Sequence, residues 1–430
     1  MFKIASLVAI LTVFSKILGL VRDLVIAHYF GTSMQADAFN IAYLLTGNFF
    51  IILGGIGGPF YSSMVAILPK IQAQKFTSTE FIKQVLKKLF VFSCGFAFLI
   101  FIFKEFLLKI FIDAQESPEY FQLALKNIDI LLALVVITAP VGIIFACLNC
   151  FKKYLAPSLA PALVNIVLIA ILLAMGDSHN GLALAIGTSI GGVLSLLIQI
   201  PFLKEKAQNL IALTQENLSK YKKDFYILLI PALLSTFSTQ IMVFIDSYFC
   251  KSLAEGSWTA ITISNRLIQM PLGVLLTAFL VPVFPKISQM IEEKRFTRIK
   301  EVLTKSLAVL IGICIPGIII SVLYPKEIIA FIFERGAFDA NSTLLVSQVF
   351  VFLVLSMIPF ILRDSFTRTL YCFNDSKSPF YVMLVAIALK ITLNAILVPK
   401  LGISAIAITT VASSCFNAFC LFFILKTKFK

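Results

Sequence analysis

Histidine is nearly absent from this chain: His28 and His179 are the only two in 430 residues, beside a single tryptophan. A catalytic or metal centre built on several histidines is therefore excluded. The eight cysteines show no His-coupled metal spacing, and the close pair Cys147 and Cys150 falls on an apolar helix, where packing is the better reading. Charge is scarce too, at 13% of residues, and acids are scarcer than bases, 22 against 36, for a net charge of +14. Water-soluble folds carry about a quarter of their residues charged. With 59% hydrophobic residues and a mean hydropathy of +0.98, this chain has more apolar surface than a soluble core can hide. No polar stretch is long enough for a separate soluble domain. The N-terminal apolar stretch carries Lys16, Arg22 and Asp23 and lacks a small-residue cleavage site, so a cleaved signal peptide is not expected.

What the sequence has is long apolar runs. Runs able to cross a hydrocarbon core of ~30 Å lie near 5–29, 37–67, 84–112, 121–150, 155–175, 181–203, 224–250, 258–285, 301–324, 342–373, 379–399 and 402–425. The expected fold is an all-α integral membrane protein of about 12 transmembrane helices, with both termini on one side. Basic residues crowd alternate loops: Lys70, Lys75, Lys83, Lys87 and Lys88, then Lys152 and Lys153, later Lys286, Lys294, Arg295 and Arg298, and finally Lys426, Lys428 and Lys430. The opposite loops hold few, such as Lys104, Lys109 and Lys126. The positive-inside rule then places both termini in the cytoplasm. Topology and anionic membrane lipid account for the net charge, and nucleic acid is not an expected partner.

The two halves resemble each other. Cys150-Phe151 followed by Pro157 corresponds at one constant offset to Cys372-Phe373 followed by Pro379. Leu68-Pro69-Lys70-Ile71 echoes Phe284-Pro285-Lys286-Ile287, and the Ala139-Pro140 kink echoes Ile358-Pro359. Six helices per half is an even number, so the repeats are parallel and related by an axis along the membrane normal. This predicts two pseudo-symmetric six-helix bundles, an N-lobe of 1–203 and a C-lobe of 224–430, joined by a basic amphipathic cytoplasmic linker, 204–223. Such a pair of lobes suits an alternating-access transporter.

Several charges fall inside the apolar spans, where each costs roughly 2.5–3.5 kcal/mol at mid-bilayer. They are Lys16 and Arg22 in the first helix, Arg266 in the eighth, Arg363 in the tenth and Lys390 in the eleventh. Arg363 has Asp364 beside it as a local partner. Lys16, Gly19 and Asp23 share one helix face. Cations from helices 1 and 8 with few acids around them would make an interlobe cleft that selects an anionic headgroup such as a pyrophosphate. Lys390 lies mid-helix with Asn394 one turn on, and its candidate partner is Asp246 in helix 7; the alternative is that Lys390 snorkels to the surface.

The stretches Phe14-Ser15-Lys16-Ile17-Leu18-Gly19-Leu20-Val21-Arg22-Asp23, Phe30-Gly31 with Ala36-Asp37-Ala38-Phe39, Asn265-Arg266-Leu267 with Pro271-Leu272-Gly273-Val274, and Phe333-Glu334-Arg335-Gly336-Ala337-Phe338 resemble the MurJ/MviN lipid II flippases of the MOP exporter superfamily. The resemblance covers the whole chain through helix 12. It implies a MOP/MATE-like fold and transport of an undecaprenyl-pyrophosphate-linked peptidoglycan precursor from the inner to the outer leaflet of the bacterial cytoplasmic membrane. It also implies that Arg22 and Arg266 correspond to essential cavity arginines, that Lys16 replaces another, and that Asp37 is the helix 2 carboxylate. Some members hold a sodium ion with a helix 7 acid and polar residues of helices 11 and 12; this chain places Lys390 there, with Asp246 and Asn394. The family's basic pair in helix 2 falls at Thr46, Gly47 and Asn48, and its helix 2 glutamate in the run Gly54 to Gly58, so neither is present. Members usually add helices 13 and 14, which hold the lipid tail. No cofactor is expected, coupling to the membrane potential is, and the bound ion is unspecified. The expected partners are the lipid-linked precursor and membrane lipids, with the chain a monomer. Two rivals share the superfamily: a polysaccharide-unit flippase, and a drug/cation antiporter, which would favour acids in the cleft. A membrane-embedded enzyme would need a nucleophile or metal constellation, and none is visible.

Overall fold

The computed structural model describes the chain except residues 1, 56, 176–180, 204–210, 277, 278, 280–282, 374 and 430. His179, Lys430 and the first part of the expected linker therefore lie outside the described residues. The chain divides into two compact units, Met1–Phe244 and Ile245–Lys430. Among the described residues there is no strand, only an isolated bridge between Phe76 and Ile211.

The first unit comprises α1 (Phe2–Phe30), α2 (Met34–Leu45), α3 (Gly47–Gly54), α4 (Pro59–Ala73), α5 (Thr79–Phe111), α6 (Pro118–Cys150), α7 (Leu155–Met175), α8 (Leu182–Leu197) and most of α9 (Gln215–Cys250). The second holds the end of α9, then α10 (Ser257–Leu275), α11 (Phe284–Glu292), α12 (Phe296–Leu323), α13 (Pro325–Phe333), α14 (Ala340–Leu353), α15 (Met357–Cys372), α16 (Lys377–Leu401) and α17 (Ile403–Lys428). Among the described residues, nine runs are long and apolar enough to cross a membrane, and each falls on an expected span. Of the other three expected spans, 5–29 lies within α1 and 224–250 within α9, while 258–285 is α10 as far as Leu275 and then runs over residues partly outside the described ones. The fold is all-α and membrane-spanning. Proline occupies the first turn of α4, α6 and α13, where its missing N–H costs nothing. Asp339 caps α14 by accepting from the Ser342 amide at 2.8 Å.

In the first unit α6 is the hub. It packs against α2, α3, α4, α5 and α8, and 78% of its apolar span is buried. Its counterpart in the second unit is the run Ala340–Cys372, also 33 residues long and the most buried candidate span there, packed against α10, α12, α13 and α17. These two runs carry Cys150 and Cys372 at corresponding ends, so the internal repeat seen in the sequence is a repeat of the packing hub. The two prolines differ in setting: Pro140 lies inside α6, whereas Pro359 follows a short 3-10 break at Val354–Ser356.

The second expected span, 37–67, is three helices rather than one. It breaks at Thr46 and again over the glycine run after Gly54. Close approach explains the glycines. A Cβ on Gly54 would stand 2.7 Å from the Thr138 carbonyl oxygen, and one on Gly142 would stand 3.1 Å from the Gly54 Cα. The broken helix can thus press onto α6 only through hydrogen atoms.

The expected linker is not an independent stretch where it is described. Residues from Gln215 onward form the first turns of α9. There Leu218, Tyr221, Phe225 and Leu229 are buried in a core with Phe81, Val85, Met64 and Ile143. The Tyr221 hydroxyl donates to Gln74 Oε1 at 2.8 Å and Lys222 Nζ to Gln84 Oε1 at 2.8 Å. The boundary of the first compact unit accordingly falls within the seventh apolar span, at Phe244, and not before it.

Candidate functional site

In the first unit the charged groups of α1 are held by α7. Arg22 donates from Nε and Nη2 to the Asp23 Oδ1, at 3.1 and 2.8 Å, and from Nη1 to the Asn165 Oδ1 at 3.0 Å. Asn165 in turn donates from Nδ2 to the Ser15 carbonyl at 3.4 Å. A Cβ added to Gly19 would lie 3.7 Å from that amide nitrogen, so the small residue brings α1 close to α7. The guanidinium is thus fixed in a plane by an acid on its own helix and an amide on another, while its side chain stays 24% accessible. An arginine oriented in this way keeps donor capacity for an incoming anion. Lys16 is half-buried two turns earlier on the same helix. Asp23, expected as part of a face with Lys16 and Gly19, is the ion-pair partner of Arg22. The site is therefore less purely cationic than the sequence suggested.

Asp37 lies in the first turn of α2 and is 4% exposed. Where the family's helix 2 basic pair would stand, Asn48 donates to the Gln240 Oε1 at 3.0 Å, a neutral amide pair. Asn165 was not singled out in the sequence. Its signal was there: a lone amide within the apolar run Leu155–Met175.

In the second unit Arg266 is half-buried on α10. Arg363 does not pair with Asp364 as expected. Asp364 binds Arg368 one turn on, at 2.8 Å, and the Arg363 guanidinium lies over the Phe360 ring at 4.2 Å. At i, i+4 the carboxylate meets a side chain on its own face, which an adjacent residue is not.

The deepest charge in this unit is Lys390, 2% exposed on α16. Its ammonium donates to the Asp246 Oδ2 at 2.7 Å and to the Thr410 hydroxyl at 3.0 Å. Asn394, fully buried one turn further on, accepts from the Thr409 hydroxyl. Three helices, α9, α16 and α17, therefore meet on one ammonium group. Snorkelling does not occur. The two threonines were not named from the sequence, because Thr-Thr in an apolar helix reads as ordinary backbone-bonded packing. Both do bond back to the Ile406 carbonyl as well. Among the described residues no cluster of His, Cys, Asp or Glu could hold a metal ion.

The Phe333 to Phe338 stretch proves to be a turn. Gly336 has a positive φ of 62° between α13 and α14. Glu334 accepts from Thr343 at 2.7 Å, and the Phe333 and Phe338 rings lie 5.6 Å apart. The motif closes a helical corner.

The family model described as lipid II flippase MurJ matches residues 26–430. The chain belongs to this family. MurJ proteins are flippases, hence transporters and not enzymes. Among curated relatives, a "Probable lipid II flippase MurJ" of Synechocystis sp. is 28% identical over 96% of this chain and 79% of its own length. One of Thermotoga maritima is 27% identical over 94% and 80%. Of solved structures, a lipid II flippase MurJ in an inward closed conformation shares the fold with a TM-score of 0.81 at 24% identity, covering 98% of this chain and 87% of that one. An inward-facing multidrug resistance MATE family transporter of the MOP superfamily does so with a TM-score of 0.74 at 12% identity, covering 96% and 94%. The MOP/MATE-like fold that the family resemblance implied is the fold observed.

Proposed function

We propose that this chain moves undecaprenyl-pyrophosphate-linked peptidoglycan precursor from the inner to the outer leaflet of the bacterial cytoplasmic membrane by alternating access of its two lobes. The family match carries the reading, and the oriented Arg22 supports it. Lys16 and Arg22 of the first lobe and Arg266 of the second supply the cationic donors for the pyrophosphate, and the tail stays in lipid. The basic loops set both termini in the cytoplasm, and the protein works as a monomer. A pyrophosphate with about two negative charges gains ~2.3 kcal/mol per charge per 100 mV on leaving an interior-negative cell. The membrane potential is then a sufficient driving force. In the second lobe Lys390 supplies the positive charge beside Asp246, and no soluble cation is required there.

Complementation of a conditional peptidoglycan-flippase mutant tests this. Growth should be rescued by the wild type and lost with Arg22→Ala or Arg266→Ala at unchanged protein level. Failure of the wild type to rescue, or full rescue by both variants, refutes the assignment. Transport by the wild type that requires sodium would refute the role given to Lys390.

A further inference from the structure

Thr79, Ile82, Lys83, Leu86, Lys87 and Phe90 follow the i, i+3, i+4, i+7, i+8, i+11 pattern along α5 and form one stripe of that helix. With Phe151 and Leu203 they line a cavity of about 490 Å³ in the first unit. The floor is apolar: Leu86 packs on the cores around Ile144 and Val85. The walls are pinned, because Lys153 Nζ, beside Phe151, donates to the Phe202 carbonyl, beside Leu203, at 2.8 Å. Lys83 and Lys87 are exposed one turn apart at the rim, and no acid is among the described residues that line the cavity. The nearby Glu80 accepts from Gln84 at 2.7 Å. Just beyond Phe90, the residues Val91, Phe92, Phe98 and Leu99 are all more than half exposed, as on a lipid-facing helix. The cavity therefore sits where the lipid-facing part of α5 begins, with two exposed cations above an apolar trough.

We propose that this groove binds an anionic phospholipid, with its phosphate on Lys83 and Lys87 and an acyl chain laid along Ile82, Leu86 and Phe90. Like charges one turn apart repel each other, and a single anionic headgroup relieves both. A zwitterionic lipid brings its own cation against the same two ammonium groups, so the site discriminates by charge. The groove is formed by α5, the α6–α7 turn and the segment after α8, not by the helices that carry Arg22 and Arg266. Its occupant is a bystander lipid of the leaflet and not the transported one.

Native mass spectrometry of the full chain in detergent, with phosphatidylglycerol or phosphatidylcholine of the same acyl chains, tests the proposal. The wild type should retain phosphatidylglycerol preferentially. Lys83→Gln with Lys87→Gln should weaken that binding about thirtyfold, each lysine at an anionic membrane surface being worth roughly fivefold. The Arg pair at the same positions should retain it, which separates loss of charge from misfolding. Leu86→Trp, filling the trough without altering charge, should lower retention of either lipid. Equal retention of the two lipids by the wild type, or unchanged binding in the Gln pair, overturns the proposal. So does one-for-one displacement by undecaprenyl pyrophosphate that is lost in the same Gln pair, because the groove would then belong to the transported lipid.

Discussion

Removing the Lys390 ammonium while leaving Asp246 in place should be far more damaging than removing both. At 2.7 Å and an effective dielectric of about 20, the attraction is ~6 kcal/mol. Desolvating two ions costs several kcal/mol each, so the intact pair is close to neutral for stability. Lys390→Met leaves the Asp246 carboxylate, whose side chain is 12% accessible, without its cation and beside the neutral Asn394 amide. The expected cost is ~3–5 kcal/mol. Asp246→Leu alone strands the ammonium at 3% accessibility and should cost a similar amount. The double variant should recover most of it, because two apolar side chains fill the site with no orphaned charge. Reversible unfolding of the purified protein in detergent, across wild type, both single variants and the double, gives the coupling energy. It should be at least ~2 kcal/mol. Additive single effects, or singles as stable as the wild type, would refute the claim that this pair is buried and mutually dependent.

Arg22→Lys should abolish complementation at normal protein level, because a point charge cannot hold Asp23 and Asn165 in one plane, whereas Lys16→Arg should be tolerated; wild-type growth of Arg22→Lys would contradict the geometry. Gly54→Val should lower stability by ~1–3 kcal/mol, since its Cβ meets the Thr138 backbone oxygen at 2.7 Å; an unchanged melting temperature would show that α3 can shift away from α6. Lys428 and the Ser378 amide and hydroxyl hold the Asp375 carboxyl down to about 2 from its ordinary 3.8. A depressed carboxyl stabilises fully above its ordinary value and loses that stabilisation as pH falls through its folded value. Asp375→Asn should therefore cost on the order of 1 kcal/mol at pH 5 to 7, and the gap to wild type in melting temperature should close between pH 4 and 2. A gap independent of pH would mean that the carboxylate is not what joins α17 to the turn before α16.

Composition and apolar runs alone determined the class of this protein, because 59% hydrophobic residues cannot be hidden in water and backbone polar groups in lipid must be satisfied within helices. The repeat was legible too, since Cys150-Phe151 and Cys372-Phe373 end the most buried run of each unit. Charges in apolar spans were visible because they are costly and few. Apart from Asp246 for Lys390, their partners were not. A helix places neighbours at i+3 and i+4, so Asp364 chose Arg368 over Arg363. Asn165 reached Arg22 across 143 residues of sequence. Lys390 met Asp246 across 144, a partner the sequence did offer, as an acid within the seventh apolar span and not through spacing. Local spacing carries no information about such contacts. The breaks in the second span and the burial of the early turns of α9 also required tertiary structure, because glycines that permit close packing and aromatics that fill a core look the same in sequence as those that face lipid. Packing, not propensity, decided which of them touched.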